Sequence, residues 1–267
     1  MLRGTYFPNH KENLMKYESD VETARFDFFS KRPNNLTFLL RNRYKWMNKY
    51  IQKNNRVLEL GAGAGFSKEF IKQGKLEITD IVKYPWIDRV VDALNPSGIG
   101  KKESVDIFIC SQMIHHLSSP INFFQIINEY LKPGGYILIQ EPHTSLLMRI
   151  ILRIMRHEGW SYDVDVFDEE AICNDPRDPW SANNAIAELL FQNPDYFSKV
   201  TGLEVVKSNF CECLLFPLSG GVTAKSKTIQ LPLYLLSMID RLDKFLVWLA
   251  PSFFALGRSV VLKKYTN

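Results

Sequence analysis

The stretch Val57-Leu58-Glu59-Leu60-Gly61-Ala62-Gly63-Ala64-Gly65-Phe66 decides the fold. A short apolar run leads into glycines at alternate positions, and a helical pattern resumes at Phe66. A strand feeding a glycine turn into a helix lets a ligand approach bare backbone and the helix N-terminus. Two cofactor classes use such a turn. The dinucleotide fingerprint G-x-G-x-x-G, begun at Gly61 and Gly63, needs glycine or alanine at position 66, which is Phe66. The spacing present is acid-x-Gly-x-Gly-x-Gly, from Glu59 to Gly65. A glycine turn alone decides little, so its neighbours must.

Outward from this turn, strands and helices alternate. Strands are expected at Arg56–Leu60, Leu76–Thr79, Arg89–Val91, Val105–Cys110 and Tyr136–Gln140, with helices near Phe66–Gln73 and Ile121–Leu131. Lys132-Pro133-Gly134-Gly135 reads as a helix stop without chemistry. Short strands alternating with helices argue for a parallel sheet covered on both faces. Upstream, the first 54 residues read as irregular chain followed by a helix over Leu36–Gln52, entered through Pro33-Asn34-Asn35. Downstream come an apolar helix at Ser145–Arg156, an acidic proline-containing loop and a helix near Asn183–Phe191. Two late strands follow, Leu203–Ser208 and Arg258–Lys263, separated by a long helical insertion. The expectation is one α/β domain over residues 1–267. It comprises an N-terminal extension and helix (1–54), a cofactor-binding core (55–142), a lid insertion (143–202), and the last strands with their helical insertion (203–267). Its mostly parallel sheet ends in a C-terminal antiparallel strand pair.

The ligand crevice of an open parallel sheet lies outside the carboxyl ends of its strands. Asp80 ends the second strand, where a carboxylate can accept hydrogen bonds from both hydroxyls of a ribose, although alone it also reads as a turn or cap residue. Asp92-Ala93 follows the third strand, placed to read an adenine amino group. Ser111-Gln112-Met113-Ile114-His115-His116-Leu117 follows the fourth.

With the motifs VLELGAGAG, Asp80, Asp92-Ala93, VDIFICSQMIHHL and LKPGGYILIQEP, residues Arg56–Pro142 resemble the class I S-adenosylmethionine-dependent methyltransferases. The similarity is greatest to the small-molecule group that includes quinone- and sugar-modifying enzymes. The resemblance implies a Rossmann-like fold with helical lid insertions and S-adenosyl-L-methionine as cofactor. It places Gly61, Ala62 and Gly63 along the methionine and ribose portion, Glu59 near the methionine amino group, and Asp80 on the ribose. Asp92 and Ala93 meet the adenine, and Ser111 and Gln112 close the pocket. Asp106 begins its strand and reads as structural. The loop Asn95–Ser104 departs from the family pattern, which leaves the adenine wall undefined.

Methyl transfer from a sulfonium needs alignment and exclusion of water, and proximity can supply roughly 7–11 kcal/mol of such a barrier. A base helps only a protonated nucleophile such as a hydroxyl. The candidates are His116, which the family pattern places by the acceptor mouth, and His143, just after the fifth strand. Adjacent His115 and His116 are expected to diverge, one of them serving packing or capping. Leu146–Met155 surrounds a stripe of Arg149, Arg153 and Arg156, and Leu233–Leu249 carries one polar stripe of Ser237, Asp240, Arg241 and Lys244. Such helices pack into cores, and also suit a lipid interface or a greasy acceptor.

The remaining features narrow the alternatives. A composition of 46% hydrophobic and 23% charged residues excludes general disorder, and a net charge of +4 does not by itself argue for nucleic acid. Lys31–Arg56 is purely basic and residues 161–180 are strongly acidic; both read first as solvated surface, and otherwise as a basic face for an anionic partner and an acidic lid. No Asn/Asp-Pro-Pro-aromatic tetrad follows the fourth strand, so adenine methylation in nucleic acid is not expected. Cys110, Cys173, Cys211 and Cys213 form no CxxC pair, and no metal site is expected. The start lacks the apolar core of a signal peptide and no uncharged run could span a bilayer, so a cytoplasmic location is expected, with a peripheral position at the inner face of a membrane through the lid helices. O-methylation of a small acceptor, such as a sugar or lipid-linked glycan, is the leading expectation. C- or N-methylation of a quinone-like or amine acceptor, or a non-catalytic cofactor-binding module, are the alternatives.

Overall fold

The strand expected at Arg56–Leu60 forms with those bounds as β1, and its last four residues are buried. It lies within a seven-stranded sheet with β2 (Lys75–Asp80), β3 (Arg89–Val90), β4 (Val105–Ser111), β5 (Leu131–Pro142), β6 (Leu203–Cys211) and β7 (Gly257–Lys264), in the order β3-β2-β1-β4-β5-β7-β6. Pairs among β1 to β5 are parallel, whereas β7 runs antiparallel to both β5 and β6. The sheet is therefore mostly parallel and closes with the expected antiparallel pair. The computed structural model describes residues 4–8, 20–156, 158–178, 180–223 and 226–266.

Strand residues alternate between two apolar layers, as a two-residue period dictates. Val57, Ile107, Ile109, Leu138 and Val261 pack beneath α1 (Val21–Lys31), α2 (Asn34–Lys45) and α3 (Ser67–Phe70), which contribute Phe28, Leu36, Leu40 and Phe70. Leu58, Phe108, Ile137, Ile139 and Val260 face α4 (Pro120–Tyr130), α6 (Ile186–Phe191) and α7 (Pro194–Thr201) through Phe123, Phe124, Phe191 and Phe197. Each such side chain, fully buried, contributes about 1.5–3 kcal/mol. Between α4 and α6 lies the lid helix α5 (Leu146–Met155), capped by the Ser145 side chain on the Met148 amide. The late insertion holds α8 (Leu215–Ser219), α9 (Leu233–Leu249) and α10 (Pro251–Phe254).

Several sequence expectations need correction. The N-terminal extension is not irregular over Val21–Lys31. Asp20 caps α1 by accepting the Thr23 amide at 2.9 Å, and Val21, Ala24 and Phe28 are buried at helical spacing. The next helix ends at Lys45 and continues as a 3-10 turn over Trp46–Lys49. Downstream of the glycine turn, α3 is a single turn. Asn48 accepts the Lys72 amide at 2.7 Å and donates to the Phe70 carbonyl at 3.0 Å, taking up groups that a longer helix would pair. Helix α4 stops where expected, but the Lys132–Gly135 segment belongs to β5 and is absorbed in a register shift between Val105–Leu131 and Ile107–Tyr136.

The basic stretch is not uniformly solvated. Arg43 is buried and grips Glu212 with two bonds, Nε to Oε1 at 2.8 Å and a terminal nitrogen to Oε2 at 2.7 Å. Burial opposes its charge, and Glu212 overrides it, raising the Arg43 pKa. Arg56 is likewise committed, to Ser104, the Ile99 carbonyl and Glu77. In the acidic loop, Asp165, Asp168, Asp175 and Asp178 each accept the amide two residues on, so these acids build local turns. The insertion is tied down by Asp243 of α9, whose buried carboxylate accepts the amides of Cys213, Leu214 and Leu215 at 2.8–3.1 Å.

Candidate active site

The carboxyl ends of β1, β2 and β4 open into one cleft of about 940 Å³. Its floor begins at the glycine turn. Gly61 has φ of 66°, and a Cβ there would stand 2.3 Å from Met113 Cγ, so only glycine fits. Gly63 also has positive φ, yet a Cβ there would meet nothing within 4 Å, because its bare face looks into open space. The Ala62 amide donates to the Thr79 carbonyl at 2.9 Å, which fastens the turn to the end of β2.

Asp80 completes this end. Its two oxygens accept the amides of Gly63 at 2.8 Å and Val82 at 3.0 Å, and the carboxylate lines the cleft at only 8% exposure. Asp92, Ala93, Ser111 and Gln112 line the same cleft as Gly61, Ala62 and Gly63. The Asp92 carboxylate accepts the Leu94 amide at 2.9 Å. Gln112 holds φ of 59° and donates its amide to the Gln140 carbonyl at 2.7 Å, so β5 fixes this strained residue. A bare glycine face beside a fixed, accepting carboxylate fits a nucleoside-containing cofactor. Gly61–Gly63 would hold its backbone-facing part and Asp80 its ribose.

Glu59 stands apart from this group. It is 1% exposed and absent from the cleft lining, where it accepts hydrogen bonds from the Tyr44 hydroxyl at 3.2 Å and from Ser67 Oγ. Burial pushes its pKa up to about 7. Tyr44, which does line the cleft, is the nearer group, its own pKa raised by burial and then by Glu59.

At the other chemical pole is a 3-10 turn, Ile114–His116, braced by Glu141 at the end of β5. The Glu141 carboxylate accepts the amides of Met113 at 2.7 Å and Ile114 at 2.9 Å, and holds His115 Nδ1 at 2.6 Å. Burial works against protonation of His115, but the charge and hydrogen bond of Glu141 outweigh it and raise its pKa. His116 Nδ1 lies 3.0 Å from the Ser181 carbonyl oxygen. A carbonyl only accepts, so Nδ1 carries the proton and Nε2 keeps its lone pair. Burial, then the neighbouring His115, lowers the His116 pKa to about 4.

Contrary to the sequence expectation, both histidines line the cleft. The two rings lie 4.1 Å apart between centroids. His143 does not belong to the cleft. Pro142 faces it, and the following residue falls on the other side, where His143 packs on Phe210 at 4.7 Å and its Nδ1 lies 3.8 Å from Glu188. Burial lowers its pKa to about 4.

Glu141, Glu158, Tyr44 and Arg43 went unread in the sequence as site residues. Glu141 sits at a strand end inside a recognisable motif, and the reasoning applied to Asp80 could have found it. Glu158 lies beyond the lid helix with no local signal.

Comparison with known proteins agrees with this geometry. A family model described as a methyltransferase domain matches residues 31–181. No curated protein sequence matches the chain. Among solved structures, a SAM-dependent methyltransferase from Archaeoglobus fulgidus is 19% identical with a TM-score of 0.53, over 85% of this chain and 93% of that one. A candidate sarcosine dimethylglycine methyltransferase from Galdieria sulphuraria is 16% identical, TM-score 0.45, over 86% and 85%. A methyltransferase in complex with the Haloferax volcanii Trm112 activator is 12% identical, TM-score 0.47, over 93% and 99%. At 19% identity, the likeness to the Archaeoglobus fulgidus structure speaks for the fold alone.

Proposed function

The chain belongs to the methyltransferase-domain family, as an S-adenosylmethionine-dependent enzyme, and from that premise we propose that it methylates a hydroxyl oxygen of a small acceptor with an apolar body. The cofactor supplies an activated methyl group when bound; the residues of this chain hold it, align the acceptor and exclude water. The single observation that carries the oxygen reading is the histidine turn. His116 shares the cofactor cleft with its Nδ1 proton committed to Ser181, so that Nε2 can accept a hydrogen bond from an acceptor hydroxyl. His143, buried outside the cleft, has no part in this proposal.

The apolar body is argued from the lid. Met148, Ile151, Leu152 and Met155 of α5 and Phe216 of α8 line the same cleft. An acceptor seated there presents greasy surface to the lid and its hydroxyl to the histidines, as a lipid-linked or prenylated compound would. Incubation of the enzyme with isotopically labelled S-adenosylmethionine and either polar-metabolite or lipid extracts, followed by mass spectrometry, tests this. Label on an oxygen of an amphipathic product is expected. Label on carbon or nitrogen would favour a quinone-like or amine acceptor, and no labelled product would favour a cofactor-binding module.

A second reading concerns location. No helix among the described residues is long and apolar enough to cross a membrane. Helix α9 nevertheless exposes Tyr234, Met238, Phe245, Trp248 and Leu249, while Leu236, Asp243 and Val247 anchor its other face. An aromatic-rich apolar face of this kind suits the headgroup region of a bilayer. We propose α9, and not the arginine stripe of α5, as a peripheral membrane contact.

A further inference from the structure

The adjacent His115 and His116 meet Glu158, from beyond the lid helix, in the cleft. His115 Nε2 lies 3.8 Å from Glu158 Oε2, and His116 Nε2 lies 4.0 Å from Glu158 Oε1. The three ligand atoms all fall within 4.8 Å of one another. A tetrahedral zinc with bonds of about 2.0–2.2 Å separates its ligands by about 3.4 Å. The two histidine–glutamate pairs, which use different oxygens of Glu158, must each close by about half an ångström, and the widest pair of a three-atom ligand set by up to about 1.4 Å.

The shell behind the three groups is built as metal sites require. A ligating histidine donates its other ring N–H to a fixed acceptor, which sets the tautomer and aims the lone pair. Here the acceptor is Glu141 for His115, at 2.6 Å, and the Ser181 carbonyl for His116, at 3.0 Å. Both Nε2 lone pairs are thereby directed toward Glu158. That carboxylate is steadied in turn by the Asn184 amide at 3.1 Å. All three groups line the cleft, so coordination positions not filled by protein open onto the acceptor space. Two histidines and one glutamate with an open position are a catalytic zinc donor set.

We propose that His115, His116 and Glu158 form a binding site for a divalent transition-metal cation, zinc by its donor set, whose open position takes the acceptor hydroxyl oxygen. The cation site stands on the geometry alone; the hydroxyl part rests on the O-methylation reading above. A hydroxyl bound to the cation is acidified and releases its proton to water, leaving a nucleophilic oxygen in place. His116 then serves the hydroxyl through the metal instead of taking its proton directly. The proposal departs from the sequence expectation of no metal site, since Glu158 lies beyond the lid helix from the histidine pair, in no recognisable spacing.

The full-length protein, freed of metal with a chelator, is titrated with Co²⁺ while visible d–d absorption is followed, and the bound Co²⁺ is then displaced with Zn²⁺. One Co²⁺ per chain is expected, lost to Zn²⁺. His116→Ala and Glu158→Gln should each weaken Co²⁺ at least tenfold, and Glu141→Gln, which removes the charge held against His115 Nδ1, should weaken it about 10–100-fold. S-adenosylhomocysteine affinity, read in the same samples, checks that each variant is folded. No stoichiometric Co²⁺ spectrum in the wild type, or equal affinity in folded variants, would overturn the site and leave an ion-pair cluster. Label on carbon or nitrogen in the product experiment would remove the hydroxyl part and leave the titration untouched.

Discussion

At the glycine turn, the contacts that shape the cleft join backbone amides to nearby carboxylates: Gly63 to Asp80 across 17 positions, and Val82 to Asp80 and Leu94 to Asp92 across two. At the histidine turn they span far more chain. His115 is held by Glu141 at a separation of 26 and by Asn174 at 59, and His116 by Ser181 at 65. One end is made of strand tips laid side by side by the parallel sheet; the other is assembled from a turn, a distant strand end and the lid. On the function proposed above, the first end holds the cofactor and the second selects the acceptor.

If the division is real, damage at the acceptor end should leave cofactor binding intact. His116→Ala is expected to lower turnover by about 10²–10⁴, with S-adenosylhomocysteine affinity unchanged by calorimetry. A variant that loses both together would show that the two ends are one unit. The converse test is Asp80→Ala. It removes a carboxylate that fixes the turn through Gly63 and Val82 and is placed to accept ribose hydroxyls. Cofactor-product affinity should fall by about 2–4 kcal/mol, at ~1.5–3 kcal/mol for each bond to a charged group with incomplete additivity. Asp80→Asn, which keeps one accepting oxygen, should lie between. Unchanged affinity in the folded Ala variant would take Asp80 out of the site.

The same contrast explains what could be read from sequence. The strands β1 to β5, the antiparallel pair and the strand-end residues Gly61–Gly63, Asp80, Asp92 and Ser111 were legible, since each follows from a local pattern of apolar alternation, glycine or terminal acid. Helix α1 was missed because its buried residues are few and its polar ones many, although the Asp20 cap was there to be seen. Glu141 and Glu158 were missed because their meaning comes only from the partners folding brings to them. His143 misled for the opposite reason. It does follow a strand, but its ring packs on Phe210 and does not line the cleft, which no local pattern reveals.

Glu59 gives a smaller effect that tests the wall between the cleft and the core. Its folded pKa of about 7 lies above the ordinary 4.5, so between these values the native state holds a proton that the unfolded chain has released. Stability from this group is therefore full below about pH 4.5 and is lost as pH rises through 7. At 1.36 kcal/mol per unit the loss is about 3 kcal/mol. Glu59→Gln should flatten the denaturation profile across that window relative to the wild type. Identical slopes in the two proteins would mean that Glu59 ionises freely and is not sealed behind Tyr44 and Ser67.

The smallest expected effect concerns the outer surface, where α5 and α9 differ as the two ends of the cleft do. Helix α5 turns Met148, Ile151, Leu152 and Met155 to the cleft, and Arg153 stacks over Tyr6 and Trp160 at 5.4 and 5.2 Å, so its arginines are partly committed. Helix α9 is the reverse. Asp243 and Leu236 pin one face to the protein, while Trp248 is 76% and Tyr234 67% exposed on the other, with Arg241 and Lys244 also exposed. A cation near anionic headgroups contributes about 1 kcal/mol, screened by salt. An aromatic ring partly inserted between headgroups adds about 1–2 kcal/mol, below the ~1.5–3 kcal/mol of full burial. Weak, salt-sensitive binding to anionic vesicles is therefore expected in co-sedimentation at two salt concentrations. Phe245→Ser with Trp248→Ser should reduce it several-fold, whereas changing Arg149, Arg153 and Arg156 together to Gln should reduce it less. A larger loss from the arginine variant would return the contact to α5, and no binding at low salt would remove the membrane from the account and leave α9 to be covered by protein.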